Sequence, residues 1–196
     1  VKEAAKGAES EGAEIIYFDL YRQEKFTGCI SCFGCKKEAS LGKCACKDGL
    51  TPILDAMREA DGVILGTPNY LGNISSGLRA LYERLVFQSL TYKKELRTYN
   101  DRPIPVLFIM TSNCNEEMYE KNGYDKLLEG YQRSLGTFVG NTKLLVAGNT
   151  LQVNDYSPYG WSMFDPDAKK AYHDEHFGEK IKEAFALGSE MAKTPW

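Results

Sequence analysis

The amino-acid sequence predicts an α/β domain in which a parallel sheet is covered by helices on both faces. Helical and strand-like segments alternate along the 196 residues, a pattern that is typical of such sheets. Two strand-like runs, 61–68 and 104–112, are almost continuously apolar, as expected for strands that helices cover on both sides. A chain of this length can form one hydrophobic core, so we expect a single domain over residues 1–196.

Three helices and two strands are predicted in the first half of the chain. The first eleven residues are rich in helix formers and stop at Gly12, which favours a helix C-terminus. Thr51 and Pro52 precede a helical apolar pattern, where they predict an N-cap and a first helical residue. The strand-like runs are rich in β-branched or aromatic residues. The predicted elements are, in order, a helix over 1–11, a strand over 13–20, a helix over 52–60, a strand over 61–68 and a helix over 74–90.

The second half continues the alternation with two strands and two helices. The strand over 104–112 carries Pro105 near its start, where a missing backbone donor is tolerated. Asn122 and Gly123 interrupt the helical pattern that follows. The remaining elements are a helix from 116 to about 136, a strand over 143–148 and a helix that begins at Asp165-Pro166. The loop before this last helix, 149–164, holds Tyr156, Tyr159, Trp161 and Phe164, and we expect it to pack on a site or on a partner subunit.

The carboxyl ends of the predicted strands indicate where a ligand binds. Open parallel sheets bind ligands beyond these ends, near the point where the strand order reverses. The loops 67–74, 111–116 and 148–160 should therefore lie on one rim of the sheet. The cysteine-rich insertion, 24–48, follows the strand predicted to end near Asp19, and we expect it to emerge at the same rim.

Composition excludes several classes of function. The 24 basic and 27 acidic residues give a formal net charge of −3 without a long run of either sign, which argues against nucleic-acid binding. No apolar run approaches the roughly 20 residues needed to cross a bilayer. The N-terminus has a polar helical pattern that does not suggest a targeting signal. We therefore expect a cytoplasmic protein with no nucleic-acid or membrane partner.

Five of the six cysteines lie between positions 29 and 46. Cys29, Cys32 and Cys35 follow the spacing C-x2-C-x2-C, with which bacterial ferredoxins hold three corners of an iron–sulfur cluster. Cys44 or Cys46 is then available as the fourth ligand. Alternatives are a structural zinc site, which usually pairs two C-x2-C motifs, disulfides, which need an oxidising compartment, and reduced thiols that bind nothing.

The segment from Thr67 to Ser76 combines a ring, two amides, hydroxyls and a glycine. These groups suit a flat heteroaromatic ligand: Tyr70 and Leu71 can flank its face, and the backbone at Gly72 can approach it closely. Amide and N–H groups near Asn69 and Asn73 can bond to its polar edge. The alternative is a tight turn, capped by Asn73 or Ser75, in which Tyr70 is only a surface residue.

The run GTPNYLGNISSGLRALYERL resembles the flavin-contacting loop and helix of the NADPH-dependent FMN reductase group of flavodoxin-like proteins, and the cysteine loop resembles that of iron–sulfur flavoproteins. The resemblance implies a flavodoxin-like, doubly wound parallel sheet in three layers, α/β/α. It implies bound FMN, NAD(P)H as co-substrate, and cluster ligation by Cys29, Cys32, Cys35 and Cys44. The FMN contacts that it implies are Thr67, Pro68, Asn69, Tyr70, Leu71, Gly72, Asn73, Ile74, Thr111, Ser112 and Asn113.

The sequence departs from the family at its N-terminus. The family begins with a strand and a Gly-Ser-rich loop that holds the FMN phosphate at a helix N-terminus. Neither precedes Val1, so we expect that the given sequence lacks the true N-terminus. Because that strand is central in the flavodoxin order 2-1-3-4-5, the segments 15–19 and 62–67 should not be neighbours.

The expected activity is that of an FMN-dependent oxidoreductase that passes electrons from NAD(P)H or another donor to an unidentified small-molecule or protein acceptor, with or without a 4Fe–4S cluster. No side chain stands out as an acid–base catalyst, and His173 and His176 are predicted to lie on a helix surface. The alternatives are a flavin and iron–sulfur electron carrier that acts only with protein partners, and a zinc-stabilised interaction module. The aromatic loop suggests a homodimer or homotetramer.

Overall fold

The computed structural model describes residues 1–193 and 196. Its sheet contains three parallel strands in the order β1-β2-β3, namely β1 (Val63–Pro68), β2 (Val106–Thr111) and β3 (Thr142–Ala147). Six α-helices accompany the sheet within the described residues. They are α1 (Lys2–Glu9), α2 (Thr51–Glu59), α3 (Ser76–Ser89), α4 (Tyr119–Asn122), α5 (Tyr124–Phe138) and α6 (Pro166–Lys193).

Alternate residues of β2 divide the core between the two faces of the sheet. Val106, Phe108 and Met110 belong to the apolar cluster that contains residues of α2, α3 and α5. Leu107 and Ile109 belong to the cluster that contains residues of α1 and α6. Successive side chains of a strand point to opposite faces, so helices cover both sides of β2. The predicted three-layer α/β/α arrangement is confirmed.

The predicted break in the fourth helical segment is confirmed at Gly123. This glycine has a φ of 71° and separates α4 from α5. A left-handed residue at a helix end stops the helix, and glycine adopts this conformation without a steric penalty. Pro105 lies just before β2 begins, which agrees with its expected position at the start of the strand.

The predicted strand over 13–20 is wrong. The segment is not assigned to a strand, and Ile16 and Tyr17 are 65% and 57% exposed. Among the described residues, the edge of β1 opposite β2 also has no partner strand. A strand requires a neighbour for its backbone hydrogen bonds, and composition alone cannot supply one. As expected, this segment does not pair with β1.

The predicted N-cap of α2 is also wrong. The helix begins at Thr51, and Leu50 occupies the cap position. The Thr51 hydroxyl accepts a hydrogen bond from the Asp48 backbone N–H at 3.0 Å, while the Asp48 carboxylate accepts one from the Leu50 N–H at 3.0 Å. These two bonds close a turn before the helix, and no side chain caps the helix N-terminus.

Two glycines allow α1 and α6 to pack closely against each other. These helices cover the face of the sheet to which Leu107 and Ile109 point. A Cβ atom added to Gly188 would clash with the backbone carbonyl of Ala4, and one added to Gly7 would clash with that of Phe185. Ala4 itself is fully buried. Within the described residues, no helix is both long enough and apolar enough to span a membrane, α6 included.

We predict that Gly188→Ala lowers the free energy of unfolding by about 1–3 kcal/mol, because the added methyl group forces the two helices apart. Denaturant unfolding followed by circular dichroism measures the change. Gly178→Ala in the same helix is the control, because nothing lies within 4 Å of its added Cβ and alanine has the higher helix propensity. Equal destabilisation of both variants would contradict this account of the α1–α6 contact.

Candidate functional site

A tight turn follows β1 at the carboxyl end of the sheet. Tyr70 and Asn73 exchange backbone hydrogen bonds of 2.7 and 3.0 Å, and Leu71 and Gly72 between them have φ angles of 53° and 80°. Positive φ at both central residues is the requirement of a type I′ turn. Leucine adopts this conformation only at an energetic cost, yet here its side chain is fully exposed.

The predicted cofactor-contacting loops meet at this rim. The Asn69 N–H donates a hydrogen bond to the Thr111 carbonyl at 2.7 Å, which joins the segment 67–74 to the loop that follows β2. The Ser112 N–H in turn donates to the Ala147 carbonyl at 3.0 Å. The structure therefore brings together the residues 67–74 and 111–113.

Two hydrogen-bonded side chains, one from α5 and one from α3, support the turn. The Tyr131 hydroxyl of α5 donates to Asn73 Oδ1 at 2.7 Å, and Arg79 of α3 donates to the Tyr131 oxygen at 3.1 Å. The Tyr131 ring stacks on Phe108 of β2 at a centroid distance of 5.7 Å. Nothing in the sequence indicated this role of Tyr131, because its polar partners lie 52 and 58 residues away in the chain.

Two buried polar atoms lie unpaired behind the same rim. Within the described residues, Asn69 Nδ2 and the Tyr119 hydroxyl have no hydrogen-bond partner, and such groups are rare in folded proteins. Burial raises the pKa of Tyr119, although Ser112 and Asn69 lie close enough to oppose the shift. Tyr70 is 59% exposed in front of them. An exposed ring and an exposed aliphatic side chain beside unpaired polar groups fit a flat ligand with a polar edge.

Five cysteines line one small pocket. Its walls also include Phe33, Phe87 and the guanidinium-bearing Arg84. One short 3-10 turn, Gly34–Lys36, contains the third of these cysteines, and another, Glu38–Ser40, lies between the third and the fourth. All six cysteines of the chain are free thiols. Those in the pocket wall are Cys29, Cys32, Cys35, Cys44 and Cys46.

Side chains of α3 hold the cysteine loop by its backbone. Glu83 Oε2 accepts from the Cys29 N–H at 3.4 Å, and Gln88 Oε1 accepts from the Cys44 N–H at 3.1 Å. Lys36 of the loop donates to the carbonyl oxygens of Phe87, Gln88 and Leu90 at the C-terminus of the helix. A cation at this position satisfies carbonyls that have no partner within the helix and interacts favourably with the helix dipole.

A buried ion pair completes the attachment. Arg84 is 2% exposed, and its Nη1 contacts both carboxylate oxygens of Asp48 at 2.6 and 2.7 Å. Nη2 donates to the Cys46 carbonyl at 2.8 Å. Burial alone would raise the pKa of Asp48, but the hydrogen bonds from Arg84, Leu50 and Thr27 hold that pKa below its usual value. The carboxylate is therefore charged where it meets the guanidinium.

The cysteine side chains are not gathered around a single point. Among residues 1–193 and 196, no group of three or more His, Cys, Asp or Glu side chains is close enough to hold one metal ion. Burial raises the pKa of the Cys35 and Cys46 thiols, so binding of a metal at these sulfurs would release protons.

The expectation that the cysteine loop lies at the same rim as the loops 67–74 and 111–116 is wrong. Leu20 and Phe26 pack beside Gly77, at the start of α3, but the cysteine backbone bonds to residues 83–88. Eleven residues of helix between Gly77 and Gln88 correspond to roughly 16 Å. The cysteine pocket therefore lies toward the opposite end of α3 from the turn at Gly72, because the buried Arg84 fixes the loop there.

A further pocket lies at the rim between the loops after β2 and β3 and the first half of α6. His173 stacks on Phe177 at 4.6 Å, and His176 lies against Tyr172 at 4.3 Å. Both histidines line this pocket with Asn115, whereas sequence reasoning expected them only on a helix surface. The neighbouring aromatic loop packs on itself, with Trp161 in contact with the rings of Tyr156, Tyr159 and Phe164.

Comparison with known proteins finds a matching family and several relatives. Residues 1–117 match the sequence profile of a family described as NADPH-dependent FMN reductase. An iron–sulfur flavoprotein of Methanocaldococcus jannaschii is 42% identical over 84 residues, which are 43% of this chain and 42% of that protein. One from Methanosarcina thermophila is 35% identical over 63 residues, or 32% and 31% of the two chains. The chain spans less than half the length of these curated relatives.

Solved structures match nearly the whole chain. A NAD(P)H:quinone oxidoreductase from Methanothermobacter marburgensis aligns with a TM-score of 0.64 and 16% identity, over 97% of this chain and 86% of that one. An FMN-dependent NADH-azoreductase from Bacillus anthracis, solved in complex with FMN, aligns with a TM-score of 0.60 and 15% identity, over 98% and 89%. At this identity the likeness concerns the fold, which is flavodoxin-like.

We predict that Asp48→Asn lowers the free energy of unfolding by about 3–5 kcal/mol, because it leaves the buried Arg84 charge without a counter-ion. Thermal and denaturant unfolding measure the change. Asp55→Asn is the control, because this aspartate is exposed on α2 and surface substitutions usually stay within about 0.5 kcal/mol. A similar small effect for both variants would show that the ion pair does not hold the loop.

Proposed function

The chain belongs to the NADPH-dependent FMN reductase family, and from this premise we propose that it is an FMN-dependent oxidoreductase. The electron donor in this proposal is NAD(P)H, and the acceptor is a small molecule or a protein. The observation that carries the proposal is the strained turn at Leu71 and Gly72, which displays Tyr70 and Leu71 beside the loop 111–113.

The residues at the rim fit the isoalloxazine of FMN. Bound FMN would supply transfer of electrons in pairs or singly. Tyr70 and Leu71 would bind its flat face, and the backbone of the turn would approach its edge. Asn73 is held by Tyr131, so its backbone would be positioned before the cofactor arrives. The proposed cofactor contacts are Thr67, Pro68, Asn69, Tyr70, Leu71, Gly72, Asn73, Ile74, Thr111, Ser112 and Asn113.

We also propose that the cysteine pocket holds a 4Fe–4S cluster, which would supply single-electron transfer. Cys29, Cys32, Cys35 and Cys44 would be the ligands. The spacing of Cys29, Cys32 and Cys35 along the chain, C-x2-C-x2-C, supports a cluster over zinc, because structural zinc sites usually pair two C-x2-C motifs. All four proposed ligands line the same pocket.

The distance between the two sites supports a homodimer or homotetramer. Within one chain, the turn at Gly72 and the cysteine pocket are separated by most of the length of α3. Ile30 and Phe33 are exposed near the cysteines, by 61% and 48%, and Leu71 is fully exposed at the turn. We propose that a subunit interface covers these side chains and brings the cysteine pocket of one subunit toward the flavin rim of another.

A second candidate is an electron carrier that acts only with protein partners. The charge around the cysteines favours it. Residues 22–47 contain six basic and two acidic residues in a chain whose formal charge is −3, and five of the six basic side chains are exposed. A basic surface steers acidic partners by long-range attraction. Steady-state oxidation of NADPH with a soluble quinone distinguishes the candidates, because a carrier would not turn over with this small acceptor.

We predict that Tyr70→Ala raises the dissociation constant of FMN about fivefold, which corresponds to the loss of roughly 1 kcal/mol of ring contact. Quenching of flavin fluorescence on binding measures the constant. Tyr92→Ala is the matched control, because this tyrosine is also exposed but packs near Phe33 at the cysteine end. A protein that binds no FMN, or a Tyr70→Ala variant that binds it as tightly as the unchanged protein, would contradict the proposed flavin site.

For the cluster, we predict that anaerobically purified protein carries about four iron and four sulfide per chain, with broad charge-transfer absorption. Cys29→Ala should lose this iron, because it removes one of the four ligands. Cys114→Ala is the control, since Cys114 lies in the loop after β2 and outside the cysteine pocket. Iron-free protein with intact thiols would remove the cluster from the proposal while leaving the flavin activity to stand.

A further inference from the structure

The pocket beside the first half of α6, which we call the α6 pocket, is large enough for a small molecule. Its volume is about 270 Å³, close to the roughly 300 Å³ at which small-molecule sites begin. No cysteine lines it, and none of the proposed FMN contacts does. The α6 pocket is therefore separate from the residues that the proposed function uses.

Backbone hydrogen bonds attach the α6 pocket to the loop after β2. The N–H of Asn149, a residue that lines the pocket, donates to the Cys114 carbonyl at 2.9 Å, and the Thr150 N–H donates to the Ser112 carbonyl at 2.9 Å. A ligand in the pocket would therefore lie against the segment 111–117, whose first residues are proposed FMN contacts.

The charged side chains of the α6 pocket are mostly acidic. Three glutamates line it, Glu116, Glu117 and Glu179, against one lysine, Lys180. Lys180 lies 3.2 Å from the Glu116 carboxylate, so its charge is already compensated. Glu117 and Glu179 are exposed and form no ion pair in the part of the chain that the structure describes. These two carboxylates favour a cationic ligand and repel phosphate groups.

Two aromatic rings of α6 line the same pocket. Tyr172 is 41% exposed, and Phe177 is half-buried. An imidazole lies against each ring, His176 at 4.3 Å from Tyr172 and His173 at 4.6 Å from Phe177. Aromatic rings attract cations through the negative potential of their faces and also stack with flat ligands. The rings therefore favour the same class of ligand as the carboxylates, provided that it is flat.

The side chains are too far apart for a metal ion. Among residues 1–193 and 196, no three His, Cys, Asp or Glu side chains are close enough to share one. A metal ion would therefore meet too few ligands in the α6 pocket, whereas an organic cation is large enough to contact carboxylates and rings that lie apart.

We propose that the α6 pocket binds a flat heteroaromatic cation. Glu117 and Glu179 bind its positive charge, and Tyr172 and Phe177 contact its rings. This binding does not depend on the proposed flavin or cluster, because it uses other residues.

The test compares two probes that differ in charge. Methyl viologen is a flat dication with two pyridine rings, and 4,4′-bipyridine is its uncharged counterpart. Isothermal titration calorimetry of the protein as purified, in mildly alkaline buffer, measures both dissociation constants. We expect the constant to be about tenfold lower for methyl viologen. Equal constants for the two probes, or no binding of methyl viologen, would overturn the proposal.

Two double variants locate the bound cation. Glu117→Gln combined with Glu179→Gln should raise the dissociation constant of methyl viologen about fivefold and leave that of 4,4′-bipyridine unchanged. Glu95→Gln combined with Glu129→Gln is the matched control, because it makes the same change in net charge at exposed residues outside the pocket. Equal rises in both double variants would indicate attraction to the whole surface and would overturn the assignment to the α6 pocket.

The ring contact is tested by Tyr172→Ala. We expect it to raise the dissociation constants of both probes about threefold, because either probe can stack on this ring. Tyr159→Ala is the control, since this tyrosine is 45% exposed and lies outside the pocket. Unchanged affinity of Tyr172→Ala for both probes would overturn the role of this ring.

The results separate this inference from the proposed function. A protein that oxidises NADPH with a quinone but does not bind methyl viologen would contradict only the α6 pocket site. A protein that binds methyl viologen through Glu117 and Glu179 but binds no FMN and oxidises no NADPH would contradict only the proposed function.

Discussion

The buried ion pair between Arg84 and Asp48 is the constraint on which the candidate cysteine site depends. A charge that is 2% exposed requires a partner, because an isolated buried ion costs several kcal/mol. Asp48 supplies that partner from the end of the cysteine loop, and Cys46 supplies a carbonyl. The loop cannot leave the helix without exposing or isolating the guanidinium. Arg84 therefore fixes the cysteine loop on α3, together with Glu83 and Gln88.

The helix α3 also connects this site to the rim of the sheet. Its N-terminus follows the turn at Leu71 and Gly72, and Ser75 caps it by accepting from the Leu78 N–H at 3.4 Å. Arg79 near the same end bonds to Tyr131, which holds Asn73. One rigid element therefore sets the separation of the two candidate sites. A protein that transfers electrons between such sites needs either a path along this helix or a second subunit that shortens it.

Local pattern was sufficient to predict most of the regular structure. The three strands and the longer helices were located within a few residues, and the break at Gly123 was located correctly, because each depends on periodicity or on one residue's backbone preference. The strand over 13–20 was wrong, since a strand is stable only beside a neighbour, and 13–20 has none among the described residues. The loops 67–74 and 111–113 were correctly grouped, because the carboxyl ends of parallel strands must share an edge, but the cysteine loop was wrongly placed with them.

The sequence by itself determined the α/β/α layering, the break at Gly123 and the set of cysteines, since these follow from residue spacing and local conformation. Only the tertiary structure decided where the cysteines lie, that Asp48 pairs with Arg84, and that Tyr131 supports Asn73. Each of these depends on a polar contact between residues that are distant in the chain or that have several possible partners. Burial decides such pairings, because a charged or hydroxyl group that leaves water must form an ion pair or a hydrogen bond inside the fold.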